Sequence, residues 1–160
     1  MLKITVRNAD THDAENFLDT LNASIKHVAS ASYSSEIIES WAPSIDKSTL
    51  DHFIENPDQE QRIVAEINDA IVGIGAIVID KNELRACYVS PNFLRCGVGT
   101  AIIRDLEKKA LSQSLDHLQL HAMTVAEPFY KAMGYQALGM VAHITRGGLT
   151  MAAVKMRKNL

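Results

Sequence analysis

The stretch Val89–Ala110, VSPNFLRCGVGTAIIRDLEKKA, decides the fold. Its first half reads as the end of a strand and a turn. Its second half is an amphipathic helix, with Ile103, Leu106 and Ala110 at i, i+3 and i+7 and Ile102 beside them. Gly97 and Gly99 stand at the junction, and no acidic residue lies between Arg95 and Arg104. A helix N-terminus exposes unpaired amides and a partial positive charge, and glycines let an anion approach without a Cβ in the way. The functional reading is therefore a phosphate-binding junction, set against the plain alternative of a strand-to-helix turn.

Two phosphate motifs fit poorly. A P-loop needs a Gly-Lys-Ser/Thr ending, whereas Gly99 is followed by Thr100 and Ala101. A dinucleotide fingerprint needs a third glycine where Ile102 stands, and an acid closing the next strand.

Upstream of the junction, NELRACYV reads as a strand, and QRIVAEINDAIVGIGAIVID as a hairpin turning at Asn68-Asp69. Gly73 and Gly75 mark a bulge or a close packing contact. Further back, Leu2–Arg7 alternates as a strand, and Ala14, Phe17, Leu18, Leu21 and Ile25 give the next helix its apolar face. Tyr33, Ile37 and Trp41 share a face of a second helix capped by Ser34 or Ser35 and closed by Pro43; STLDHFIENP is a third. Downstream come a strand (DHLQLHA) and a short helix (EPFYKAM) stopped at Gly134. A hairpin around Arg146-Gly147-Gly148 ends the pattern.

A chain of 160 residues with 47% apolar content supports one domain, residues 1–160. The net charge of −3 and scattered basic residues speak against nucleic-acid or membrane partners. The start of the chain lacks the apolar run of a signal peptide, so the expected location is cytoplasmic. Cys87 and Cys96 are expected to be reduced thiols, and with six histidines dispersed along the chain and no Cys-x-x-Cys pair, no metal is expected.

The run YVSPNFLRCGVGTAII resembles the pyrophosphate-binding segment of the GCN5-related N-acetyltransferases, whose pattern Gln/Arg-x-x-Gly-x-Gly/Ala falls on Leu94 through Gly99. Leu94 takes the first position, and the charge appears one place later at Arg95. A second block, AEPFYKAMGYQALG from Ala126 to Gly139, resembles the family's other hallmark at Ala126, Tyr130, Gly134 and Tyr135; Met123 stands where the family often has asparagine. The two blocks lie about thirty residues apart, joined by one helix and one strand.

The resemblance implies an α/β (α+β) fold: a mixed, mostly antiparallel sheet splayed at its centre, with helices on both faces. It implies direct acetyl transfer from acetyl-CoA, without a metal, to a primary amine of a small molecule or peptide. It further implies a pyrophosphate grip by Arg95, Cys96, Gly97, Val98, Gly99 and Thr100, and a pantetheine arm along Cys87, Tyr88 and Val89. Ala126, Phe129 and Tyr130 belong to the same carrier site. A backbone amide near Tyr88 or Val89 is the implied oxyanion donor, Tyr130 the general acid and Glu83 the general base, with His121 as the alternative base. A phenol of ordinary pKa about 10 stays protonated at neutral pH and can donate to a thiolate. The acceptor pocket is expected between the helix carrying Trp41 and the final hairpin. A homodimer follows by analogy, and a coenzyme A-binding or sensing module without catalysis is the other reading.

Overall fold

The computed structural model describes residues 2–42 and 44–160. In chain order the elements are β1 (Thr5–Asn8), α1 (Ala14–Ala29), α2 (Ser35–Trp41), α3 (Lys47–Glu55), β2 (Gln61–Ile67), β3 (Ala70–Val78), β4 (Glu83–Val89), α4 (Val98–Ser112), β5 (His117–Ala122), α5 (Glu127–Ala132), β6 (Gln136–Ile144) and β7 (Thr150–Asn159). The strands form one sheet in the order β1-β2-β3-β4-β5-β7-β6. Neighbours are antiparallel except β4 and β5, which run parallel and are in register only at Glu83 and Gln119. Beyond that pair the two strands diverge, which is the expected splay.

The β2–β3 turn works because Asn68 and Asp69 both take left-handed backbone, φ 52° and 64°, as a tight hairpin of this hand requires. β3 is buried along most of its length, so its apolar run is continuous rather than alternating. On one side of the sheet Ile102, Ile103, Leu106 and Ala110 of α4 pack with Leu118, Tyr130 and Tyr135. On the other, Phe17, Leu21 and Ile25 of α1 pack with Trp41, Phe53 and Ile74.

Gly73 and Gly75 serve the first of these layers. A Cβ on Gly75 would stand 2.6 Å from Ile102 Cγ2 and 3.0 Å from Leu106 Cδ1, and one on Gly73 would stand 2.7 Å from Val98 Cγ1. The expected bulge is present too, where the β2–β3 register slips between Ala65 and Glu66 opposite Gly73. A second slip, between Ala76 and Ile77, leaves Arg85 as the extra residue of β4. It puts Leu84 and Cys87 on the α4 side and Ala86 and Tyr88 on the α1 side.

Two boundaries differ from the sequence expectation. β1 begins at Thr5 rather than Leu2. Tyr33 lies outside α2, whose N-cap is Ser34, its side chain accepting from the Ile37 amide. Tyr33 still meets Trp41 edge-on, at 6.1 Å between ring centroids, because its hydroxyl is held elsewhere: it donates to Ala152 O at 2.7 Å and accepts from the Thr124 amide. Pro43, the expected helix stop, lies outside the described residues.

Arg7 ties β1 to the start of α1, its Nη1 and Nη2 donating to both carboxylate oxygens of Asp13 at 2.8 and 2.9 Å and its Nε to Glu66. The Arg7 hydrogen bond holds the buried Asp13 carboxyl below its ordinary range, against the opposing effect of burial. A depressed carboxyl adds stability above its unfolded pKa of about 3.9, and that stability is lost as pH falls through the folded value. Asp13→Asn should therefore cost about 2 kcal/mol at pH 7, with the gap from wild type closing below about pH 4. Urea denaturation at pH 7 and pH 3 checks this; an equal gap at both pH values refutes it.

Candidate active site

The splay between β4 and β5 opens at the start of α4. The loop before the helix turns through two left-handed residues, Arg95 at φ 60° and Gly97 at φ 87°. Gly97 is the N-cap and provides no side-chain cap, so the amides of Val98, Gly99 and Thr100, which have no acceptor within a helix, face outward. A Cβ built on Gly97 would have only Ile4 Cδ1 within 4 Å, at 3.8 Å. With no acid in the first turn, this is an open cradle of N–H groups at the positive pole of a fifteen-residue helix. The residues fit a diphosphate.

Around the cradle the two sequence blocks converge. A Cβ on Gly99 would meet the Phe129 ring at 3.1 Å and Val89 Cγ2 at 3.7 Å. Cys87 Sγ lies 3.9 Å from Gly99 O. Phe129 stacks edge-on against Tyr130 at 5.2 Å, and Tyr130 against Tyr135 at 5.8 Å. Ala126 packs against the same cluster. Burial pushes the Cys87 thiol up to about 12, which keeps it neutral. Arg95 and Cys96 are exposed on the loop, Cys96 Sγ lying 3.5 Å from Leu94 O.

Tyr130 is buried, and among the described residues its Oη has no hydrogen-bond partner. Desolvation, then the neighbouring Cys87, Tyr88 and Tyr135, hold its phenol well above the ordinary value. It is a protonated donor without a protein acceptor.

Alternation separates two residues that the sequence grouped together. The Ser90 amide donates to Val72 O at 2.7 Å, so Ser90 and, two residues back, Tyr88 direct their main-chain groups at β3. Those of Val89 and Cys87 point instead into the splay. Tyr88 has its side chain on the opposite face, edge-on to Trp41 at 6.4 Å.

That opposite face holds a cavity of about 1020 Å³, with Phe17, Leu21, Trp41 and Phe53 along its apolar side. Its polar side carries Glu83, Arg85, Tyr88, His121, His143 and Arg146. The expected walls, Trp41 and the final hairpin, are both present; Tyr33 and Ile37 are not among them. Glu83 stands at the far end of β4 from Val89. Both its oxygens are held by Arg85, Nε to Oε1 and Nη2 to Oε2 at 3.1 Å each, and Arg85 also reaches Asp58 at 2.7 Å.

Sequence reasoning missed His143 and the network around Arg85. His143 Nδ1 lies 3.1 Å from His121 Nδ1, the rings edge-on at 5.3 Å. Burial and then the neighbouring His121 lower the His143 pKa, with Glu83 opposing. Two neutral imidazoles sharing one hydrogen bond between Nδ1 atoms leave the donor ring with a free Nε2 lone pair.

Residues 29–160 match the family model of the acetyltransferase (GNAT) domain. Over 138 residues the chain is 28% identical to the uncharacterized N-acetyltransferase YafP of Escherichia coli (strain K12), covering 86% of this chain and 85% of that protein. It superposes with a TM-score of 0.88 on the crystal structure of a GCN5-related N-acetyltransferase from Rhodopseudomonas palustris, described as aminotransferase, class-II, at 24% identity and covering 100% and 98% of the two chains. The PaiA N-acetyltransferase of Thermoplasma acidophilum, solved in complex with coenzyme A, gives 0.77 at 21% identity, with 99% of each chain covered. A putative acetyltransferase of Salmonella typhimurium, yncA, solved with acetyl-CoA, gives 0.70 at 15%, covering 98% and 94%. At these identities the structural likeness is one of fold.

Proposed function

We propose that this chain, which belongs to the GNAT acetyltransferase family, transfers the acetyl group of acetyl-CoA directly to a primary amine. The observation that carries the reading is the joint placement, at one splay, of an open amide cradle and a buried phenol without a protein acceptor. Acetyl-CoA, when bound, supplies an acyl thioester. The same carrier in two proteins of this fold supports the assignment.

Each group of the chain then has a task. The amides of Gly97, Val98, Gly99 and Thr100 hold the diphosphate, and Phe129, packed over Gly99, shields that grip from water. The main-chain amide of Val89 is the donor for the carbonyl oxygen as negative charge builds on it. Tyr130 Oη returns a proton to the departing sulfur. On the acceptor side, Glu83 and the His121–His143 pair share one wall. The carboxylate is engaged by Arg85, while the imidazole pair keeps a lone pair free. We assign proton uptake from the amine to the imidazoles, with Glu83 setting the local charge.

Calorimetry on folded protein should give heat with both coenzyme A and acetyl-CoA, and thiol should be released on adding primary amines. Gly97→Val should weaken coenzyme A binding about tenfold or more, because a side chain at φ 87° costs about 1–2 kcal/mol in a left-handed residue. No heat with either form of the carrier ends the proposal. Heat without thiol release across an amine panel would leave a carrier-binding module.

A further inference from the structure

The acceptor cavity has a charge excess that its own side chains do not neutralise. Its wall carries five cations, Arg62, Lys81, Arg85, Arg146 and Lys155, against three carboxylates, Asp58, Glu60 and Glu83. All three carboxylates are already engaged: Asp58 and Glu83 by Arg85, and Glu60 by Arg62 at 2.8 Å and Arg85 at 3.6 Å. Among the described residues the Arg146 guanidinium has neither a hydrogen bond nor an ion pair. It is open to solvent yet enclosed by the cavity wall, and that enclosure lowers its pKa while Tyr88 and Glu60 oppose.

The turn that carries Arg146 is fixed from both sides. The Gly147 amide donates to Ser40 O at 2.8 Å, the Gly148 amide to Thr145 O at 2.9 Å and the Thr145 amide to Leu149 O at 2.8 Å. The Thr145 hydroxyl, on a buried residue, meets Ser40 Oγ and accepts from the Leu149 amide. A Cβ on Gly147 would stand 3.0 Å from Ser40 O, so the turn sits against α2 with no room to spare. A fork of five donors on a braced turn, facing a cavity of net positive charge, suits a planar or tetrahedral oxyanion.

Resting on the reading of this cavity as the acceptor site, we propose that Arg146 is an anion subsite, and that the amine acetylated here carries a carboxylate or phosphate at its other end. The positive excess also favours the uncharged amine over its ammonium form. The subsite and the imidazole pair then act together on one substrate: one end is held as an anion while the other is kept free of its proton.

The test uses matched pairs on protein saturated with coenzyme A, whose own binding heat is measured first. 5-Aminovalerate is compared with 5-aminovaleramide, and O-phosphoethanolamine with ethanolamine, by calorimetry on that complex and, with acetyl-CoA in place of coenzyme A, by thiol release. The anionic member of at least one pair should bind about tenfold more tightly or better, and which pair shows it distinguishes carboxylate from phosphate. In Arg146→Gln the ratio should fall below about threefold, with Arg146→Lys between, since lysine keeps the charge but not the fork. Coenzyme A titration reports whether the variants keep their fold. A wild-type ratio near one, absence of binding by every member, or a ratio unaltered in Arg146→Gln overturns the proposal. If coenzyme A binds while this occurs, the subsite alone falls; if coenzyme A gives no heat, the acetyltransferase reading falls with it.

Discussion

Tyr130→Phe should lower kcat about 10²-fold to 10³-fold, within the range that a positioned proton donor contributes, while coenzyme A affinity changes less than about twofold. The reason lies in what the substitution leaves intact. The ring contacts with Phe129 and Tyr135 do not depend on the hydroxyl, and Oη has no protein partner to lose among the described residues. Stability should accordingly stay within about 0.5 kcal/mol, so a loss of rate reports chemistry rather than unfolding. Because burial holds the phenol well above its ordinary range, its ionisation should not limit wild-type turnover at neutral or mildly basic pH. Steady-state kinetics with calorimetry on the same preparation decides the matter. Turnover within a factor of three of wild type would remove Tyr130 from the role of acid.

Gly75→Val should cost about 3 kcal/mol of stability, at the upper end of the usual overpacking range. The contact is severe because of which atom is struck. Ile102 Cγ2, 2.6 Å from the added Cβ, belongs to a β-branched side chain in mid-helix whose χ1 is nearly fixed. A rotamer change cannot relieve it, and Ile102 and Leu106 are both fully buried. Relief requires α4 to shift, and α4 carries the amide cradle about one turn before Ile102. Coenzyme A affinity should therefore fall together with stability, whereas Gly75→Ala should produce a smaller loss of each. Denaturant titration and calorimetry on both variants test this; a loss below about 1 kcal/mol in Gly75→Val would show that the helix layer is looser than its packing indicates.

The fold was legible where its cause is local. The period of Ile102, Ile103, Leu106 and Ala110, the turn chemistry of Asn68-Asp69, and the glycines at 73 and 75 each act over a few residues, and each recurs in the structure. The open row of amides was legible for the same reason, since it is one loop and one helix end. The acceptor side was not. His121 and His143 are 22 positions apart, Arg85 reaches Asp58 across 27, and the Arg146 turn is braced by Ser40 from another element. Such pairings are set by how separate elements meet in space, and no local period encodes that. Tyr33 shows the same limit on a smaller scale. Its spacing to Trp41 suggested one helix, but the Ser34 cap starts α2 after it, and its hydroxyl is claimed by Ala152.

The single register pair between β4 and β5 makes Glu83 and Gln119 a fulcrum. From Glu83 to Val89 the lever arm is six residues, roughly 20 Å of strand. On the proposed reading, the gape of the wedge, and with it the acyl group admitted, should respond to changes of bulk at Leu84 and Leu118, two buried leucines beside that pair.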